Sequence, residues 1–295
     1  MAGPRASQRR APSVTRPRRP GWSDAPMPEG PETHALADRL SLLLADETLT
    51  RVRFVDPALQ RRRGLLEGHR VLAVEARGKA LLTAVDGGWT LYTHSHLFGF
   101  WRFADVPEAL PGETRPRVLL ATARGVAALY AAPSISLWRT DDLGDQPYLA
   151  KLGPDVLDPA VDAKALLAHM RTPRFGRRSL AALLLAQDFA AGMGNYLRSE
   201  VLFQARLSPH RILQDLTVGE RRRLANALLD VPRRAYRAKH GDALPPGKDY
   251  LARTRATFGF AVFERKGDPC PRGDGTIVET RLAGRRLYWC PGCQH

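Results

Sequence analysis

Apolar residues recur at helical spacing at Leu36, Leu40, Leu43 and Leu44, which predicts a helix over 32–44 directly after the stretch "MPEGP". The pattern then shortens to alternating runs: "LTRVRFV" at 49–55, "RVLAVEA" at 70–76, "ALLTAV" at 80–85, "WTLYTH" at 89–94, "RVLLATA" at 117–123 and "GVAALYA" at 125–131. Strands this short and this closely spaced predict a β-sandwich. Near 147–160 the character changes. Asp158 and Pro159 ahead of "VDAKALLAHM" read as a helix start, and helical patterns continue through "SLAALLLAQDF", "NYLRSEVLFQA" and "VGERRRLANALLDVPRRAYRAKH". The Gly/Pro-rich "GDALPPGKD" at 241–249 reads as a linker, and a small β-rich tail follows. The plan is a multidomain α and β protein: a tail, a β domain, a helical domain and a finger.

Composition adds two constraints. The longest apolar runs, such as "LAALLLA" at 180–186, are too short to span a bilayer, so no membrane is expected. The net charge is +15, and the first 26 residues, with six arginines and one acid, supply +5 of it. The remaining +10 still points to a polyanion, most often nucleic acid, against the blander reading of a basic but unspecialised surface. The Pro/Arg-rich stretch 1–26 has almost no aliphatic residues and is expected to be disordered.

All three cysteines lie in the last 26 residues. Cys290 and Cys293 are spaced to grip one tetrahedral Zn²⁺, with Cys270 one hairpin away. A hairpin between them presents Arg285 and Arg286, guanidinium groups suited to phosphates. In "AAGMGNYLRSE", Gly192 and Gly194 make a tight turn and Asn195 begins a helix, a phosphate site if the free N–H groups face an anion and plain turn chemistry otherwise.

Together "MPEGPE", "ARGKALLT", "KLGPDVLDP", "AAGMGNYLRSE" and "YWCPGCQH" resemble the formamidopyrimidine-DNA glycosylase and endonuclease VIII family, from Met27 to His295 and most closely in its endonuclease VIII branch. The resemblance implies an N-terminal catalytic β-sandwich domain flanked by helices at 27–146, a helix–two-turn–helix DNA-binding domain at 147–240, a linker at 241–254 and a zinc-finger domain at 255–295. It implies a bifunctional glycosylase and AP lyase that removes oxidised pyrimidines from damaged double-stranded DNA and breaks the strand by β,δ-elimination. By the same resemblance Pro28 is the nucleophile, Glu29 the proton donor, and Lys79 a phosphate contact and proton donor in β-elimination. His96, Leu97 and Phe98 are the wedge that replaces a flipped base, and Asn195 and Arg285 are DNA anchors. Glu200 is expected to orient the site from behind. The triplet 96–98 and Gly30, where the oxidised-purine branch carries leucine, favour pyrimidines.

Two departures stand out. Ala186-Gln187 replaces the family's Asp-Gln, and Gly273 and Asp274 stand where a fourth cysteine is usual. Zinc is therefore expected on Cys270, Cys290, Cys293 and Asp274, with His295 or a metal-free hairpin as alternatives. Nucleophilic attack needs a free secondary amine on Pro28, so the working protein is expected to start at Met27 and lose that methionine. A monomer in the bacterial cytoplasm, associated with the nucleoid, is expected. The rivals are a non-catalytic DNA-binding protein, if the first 26 residues are retained, and the same chemistry on oxidised purines.

Overall fold

The computed structural model describes residues 28–96, 98–110, 115–239 and 256–295. The expected tail at 1–26, the linker at 241–254 and Leu97 lie outside them. The chain enters α1 (Gly30–Leu44) with Pro31 in the first turn, where a missing N–H leaves no helical hydrogen bond unmade. Two four-stranded antiparallel sheets follow. One has the order β1 (Arg51–Phe54), β6 (Val118–Thr122), β7 (Gly125–Tyr130), β5 (Phe100–Ala104). The other has the order β2 (Val71–Arg77), β3 (Ala80–Val85), β4 (Trp89–His94), β8 (Ser134–Arg139). Short α2 (Pro57–Arg61), capped by the Asp56 carboxylate, reverses the chain after β1. The six runs read from alternation are all strands. The two strands without a clear alternation, β5 and β8, each lie at a sheet edge, where half-buried positions blur the period of two. Leu81, Leu91, Leu120, Leu129 and Trp101 fill the space between the sheets, and Leu40 and Leu44 of α1 complete this core.

The helical part has α3 (Ala163–His169), α4 (Leu180–Leu183), α5 (Asn195–Ala205) and α6 (Val218–Arg237). The cap of α3 is Asp162, whose carboxylate accepts from the Ala165 N–H at 2.7 Å, and not the expected Asp158, which closes a turn by accepting from Ala160. The run "LAALLLA" forms only a single turn, α4. It is buried on nearly every side, so periodicity could not limit its length. Thr217 and Glu220 form a capping box at the start of α6. Among the described residues no helix is long and apolar enough to cross a membrane.

The C-terminal hairpin, β9 (Val278–Leu282) and β10 (Arg285–Trp289), does not have a separate core. Leu287, Tyr288, Cys270, Cys290 and Cys293 join the apolar cluster of Leu197, Leu202, Phe203 and Leu228 from α5 and α6. Glu200, which sequence could equally place on the surface, is the polar pin of this junction. Its buried carboxylate accepts from three successive N–H groups, Ala261 at 3.0 Å, Val262 at 2.9 Å and Phe263 at 2.8 Å. Three buried donors lose their acceptor in Glu200→Ala, at roughly 1–3 kcal/mol each if no water enters. Chemical denaturation of Glu200→Ala is expected to show a loss of about 3 kcal/mol or more, whereas an unchanged midpoint would mean that the 261–263 segment finds other acceptors.

Candidate active site

The site is built where the start of α1 meets the start of α5. A helix N-terminus has free N–H groups that need acceptors. In α5 the capping residue is Gly194, which has no side chain, and Asn195 begins the helix as its first residue. The acceptor comes from the other domain. Glu29 Oε1 accepts from the Tyr196 N–H at 2.8 Å and Oε2 from the Leu197 N–H at 3.2 Å. Gly194 makes this possible, because any Cβ there would collide with the Glu29 carboxyl group. Gly192 sits at φ +87° and its carbonyl accepts from the Gly30 N–H at 2.8 Å. A Cβ on Gly30 would come within 3.0 Å of the Gly192 Cα, so a packing demand accompanies the branch signature read from this glycine.

Glu29 is 3% exposed. Burial pushes its carboxyl up to about 7, with the Glu32 carboxylate acting in the same direction, while the Lys79 ammonium and the two N–H donors of α5 pull it down. Glu29 is thus poised to hold or release a proton near neutrality. Pro28, half-buried, stands immediately before it, held by the Glu29 N–H, which donates to Glu32 Oε2 at 2.9 Å.

Lys79 reaches this acid from the tight turn between β2 and β3. Two half-buried side chains fix that turn. The Gly78 N–H donates to Asp155 Oδ2 at 2.7 Å and the Lys79 N–H donates to the Tyr148 hydroxyl at 3.0 Å. Gln187 ties the same place to the glycine turn: its Nε2 donates to the Met193 carbonyl at 2.8 Å and its Oε1 accepts from the Gly192 N–H at 3.1 Å. Burial lowers the Lys79 pKa, the Glu29 carboxylate opposes the shift, and the Arg285 guanidinium adds to it. Arg285, at the start of β10, is therefore close enough to be felt by Lys79.

Arg198, fully buried, joins these elements. Its guanidinium donates to Asn195 Oδ1 at 2.7 Å and to the carbonyls of Ala181 at 2.9 Å, Arg286 at 3.1 Å and Leu282 at 3.3 Å. Burial lowers its pKa to about 10, the Glu29 charge opposing. One side chain thus fixes Asn195 and the hairpin that carries Arg285. Sequence reading passed over Arg198, Asp155, Tyr148 and Glu32, and named Gln187 only within the departure from the family's Asp-Gln. Only Glu32 had a local signal, an acid three residues after the residue that precedes the helix.

Two of the residues expected to form the wedge, His96 and Phe98, follow β4, whose last residue His94 pairs with Ala80 next to Lys79. His96, at φ +48°, hydrogen-bonds Ser134 Oγ at 2.8 Å and stacks 4.1 Å from His94. Phe98 is 50% exposed, compatible with contact to a partner rather than the core. Burial drives the pKa of His94 down to about 3, so it is neutral and accepts from the His96 N–H at 3.0 Å. In the finger, the thiols of Cys270, Cys290 and Cys293 lie within 4.8 Å of one another and are buried. The Asp274 carboxylate, expected as the fourth ligand, is not in that group. Asp274 is exposed and turns its backbone to the thiols, with its carbonyl 3.9 Å from Cys290 Sγ.

The class is that of base-excision DNA glycosylases that act on oxidised bases and also have AP lyase activity. Residues 27–133 match the formamidopyrimidine-DNA glycosylase N-terminal domain and residues 152–243 its H2TH domain. The chain belongs to the formamidopyrimidine-DNA glycosylase and endonuclease VIII family. It is 43% identical over 270 residues to endonuclease 8 of Escherichia coli O17:K52:H18, covering 91% of this chain and all of the relative. Identity to the Klebsiella pneumoniae endonuclease 8 is 42% over 269 residues, again 91% of this chain and all of that one. MutM (Fpg) of Thermus thermophilus has the same fold, with a TM-score of 0.74 and 34% identity over 90% of this chain and 98% of that one. The fold also matches Lactococcus lactis Fpg bound to AP-site DNA, with a TM-score of 0.77 at 21% identity over 90% of this chain and 99% of that one.

Because Lys79 lowers the Glu29 pKa, removing its charge must raise it. Carbon NMR of the Glu29 carboxyl is expected to show a midpoint near pH 7, displaced upward in Lys79→Met. A midpoint in the ordinary carboxylate range would mean that water reaches the site freely.

Proposed function

We propose that the chain excises oxidised pyrimidines and cleaves the strand by β,δ-elimination, with Pro28 as nucleophile, Glu29 as proton donor and Lys79 as phosphate contact and proton donor in β-elimination. The observation that carries the reading is the buried Glu29 carboxyl, near neutral pKa, on the residue after Pro28. A chain-terminal proline is a secondary amine, with a pKa of about 8 for an α-amino group, so much of it is unprotonated at neutral pH. Its lone pair forms the N–C1′ bond as the glycosidic bond breaks and the damaged base leaves with a proton. The amine proton is lost, Glu29 donates a proton to the sugar ring oxygen, and the ring opens to an iminium cation. The cation acidifies the C2′ proton. Its removal expels the 3′ phosphate, and a second elimination expels the 5′ phosphate. Asn195, Lys79 and Arg285 grip the phosphates, and His96, Leu97 and Phe98 fill the space of the extruded base. The triplet and Gly30 support pyrimidine substrates. The family match begins at residue 27, which supports Met27 as the start of the active form. It works as a monomer in the bacterial cytoplasm.

A structural zinc fits the finger through Cys270, Cys290 and Cys293, buried soft donors on both sides of the hairpin. Bound there, a zinc ion would join the two segments that flank the hairpin of Arg285 and would supply a structural link only.

Borohydride is expected to trap a covalent adduct of the Met27-start protein on thymine glycol duplexes in preference to 8-oxoguanine duplexes. The uncleaved 295-residue form is expected to give none. Equal trapping by that intact form would refute Pro28 as nucleophile and leave the non-catalytic reading of the long form without support. Metal analysis is expected to give about one zinc per chain, a four-ligand structural site being the common case. Asp274→Ala should retain it and Cys293→Ser should lose it.

A further inference from the structure

Glu32 is buried beside the residues given catalytic roles above, and its carboxylate takes no direct part in the steps proposed. It collects donors from three elements. The Glu29 N–H donates to Oε2 at 2.9 Å, the Tyr196 hydroxyl of α5 lies 3.1 Å from Oε1, and Lys239 Nζ lies 3.0 Å from Oε1. Lys239 follows the end of α6, and its side chain and that of Glu32 are each 5% exposed. A lysine is almost never buried without a partner, and an ion pair placed there is costly to desolvate. A purely stabilising role would be served as well by apolar side chains of similar size.

What the pair does is visible in the geometry. The Glu29 N–H belongs to the peptide that joins Pro28 to Glu29, so the oxygen that accepts it fixes the plane of that peptide and with it the bearing of the Pro28 nitrogen. The carboxylate supplying that oxygen is oriented by Lys239. Neighbouring contacts point the same way. His34 of α1 stacks edge-on with Tyr236 of α6 at 5.9 Å, and the Tyr236 hydroxyl donates to Asp38 of α1 at 2.7 Å. The last turn of α6 is thus seated along α1.

We propose that Lys239 is a positioning residue for the reaction: its buried ion pair with Glu32 holds the Pro28–Glu29 peptide in the attacking orientation and makes that orientation depend on the seating of the helical domain against α1. The proposal rests on Pro28 as the nucleophile. It requires that loss of the pair slow chemistry while DNA binding, which is carried by Asn195, Lys79 and Arg285, is kept.

The test uses the Met27-start protein as wild type, with Lys239→Met and Lys239→Arg. Single-turnover base release and borohydride trapping are measured beside affinity for a duplex containing a tetrahydrofuran abasic analogue. Lys239→Met is expected to slow both base release and trapping by about tenfold or more, as a misplaced attacking group does, with affinity within about twofold. Lys239→Arg, which keeps the buried charge, is expected to recover most of the rate. Should Lys239→Met fail to fold, Lys239→Gln, an uncharged donor on a shorter arm, is read in the same way. Unchanged rates in the folded uncharged variant would overturn the proposal. So would rate and affinity falling in the same proportion with no recovery by arginine, the signature of a structural role alone. If the wild type releases base without trapping, the nucleophile assignment fails on its own. Without Pro28 as the attacking group the proposal falls with it, and base release in the Lys239 variants then reads only whether Lys239 positions Glu29.

Discussion

The arrangement depends on one carboxylate satisfying a helix that is not its own. The N-terminus of α5 lacks a side-chain cap, and Glu29 supplies it from across the domain boundary. A helix N-terminus favours negative charge, and burial opposes it. The two influences nearly balance, which leaves the proton of Glu29 exchangeable at neutral pH instead of fixed in either state. Separating the domains would both uncap α5 and return Glu29 to water, so acid strength and domain contact are one property. The surrounding glycines follow from it: Gly194 clears the space for the carboxylate, and Gly30 and Gly192 let two backbones touch.

The cations around this acid are held by a shared set of supports. Asp155 and Tyr148 fix the turn of Lys79, Gln187 fixes the glycine turn, and Arg198 fixes Asn195 and the hairpin of Arg285. Each support uses its polar atoms on backbone groups from distant parts of the chain, which confines the charged groups without neutralising them. Arg285 remains close enough to Lys79 to add to the effect of burial and weaken the hold of Lys79 on its proton. Such repulsion is relieved by a phosphate between them.

Sequence showed the strands with alternating burial, the helical runs and the triad of cysteines, because each of these signals is local. It also led to Pro28, Glu29, Lys79, Asn195 and Arg285 through motif resemblance. Edge strands β5 and β8 escaped because their periodicity is diluted by half-exposed positions. Arg198 escaped because a charged residue in a helix is ordinarily a surface residue, and the same expectation left Glu200 divided between the site and the surface; their burial is created by partners 84 to 88 and 61 to 63 residues away. Asp274 was chosen for proximity in sequence to the absent cysteine, but the chain there presents its backbone to the thiols.

The core shared by the helical part and the finger has a consequence for synthesis. The sandwich packs side chains that are all made by residue 137, so its core can condense while the rest of the chain is still emerging. The second core begins at Val156 but includes Leu287 and Cys293, and Glu200 waits for the N–H groups of 261–263. The helices must therefore leave the ribosome with an open apolar face. During that interval the nascent chain is a client for chaperones, and the hairpin that closes the core is also the step that ends its exposure.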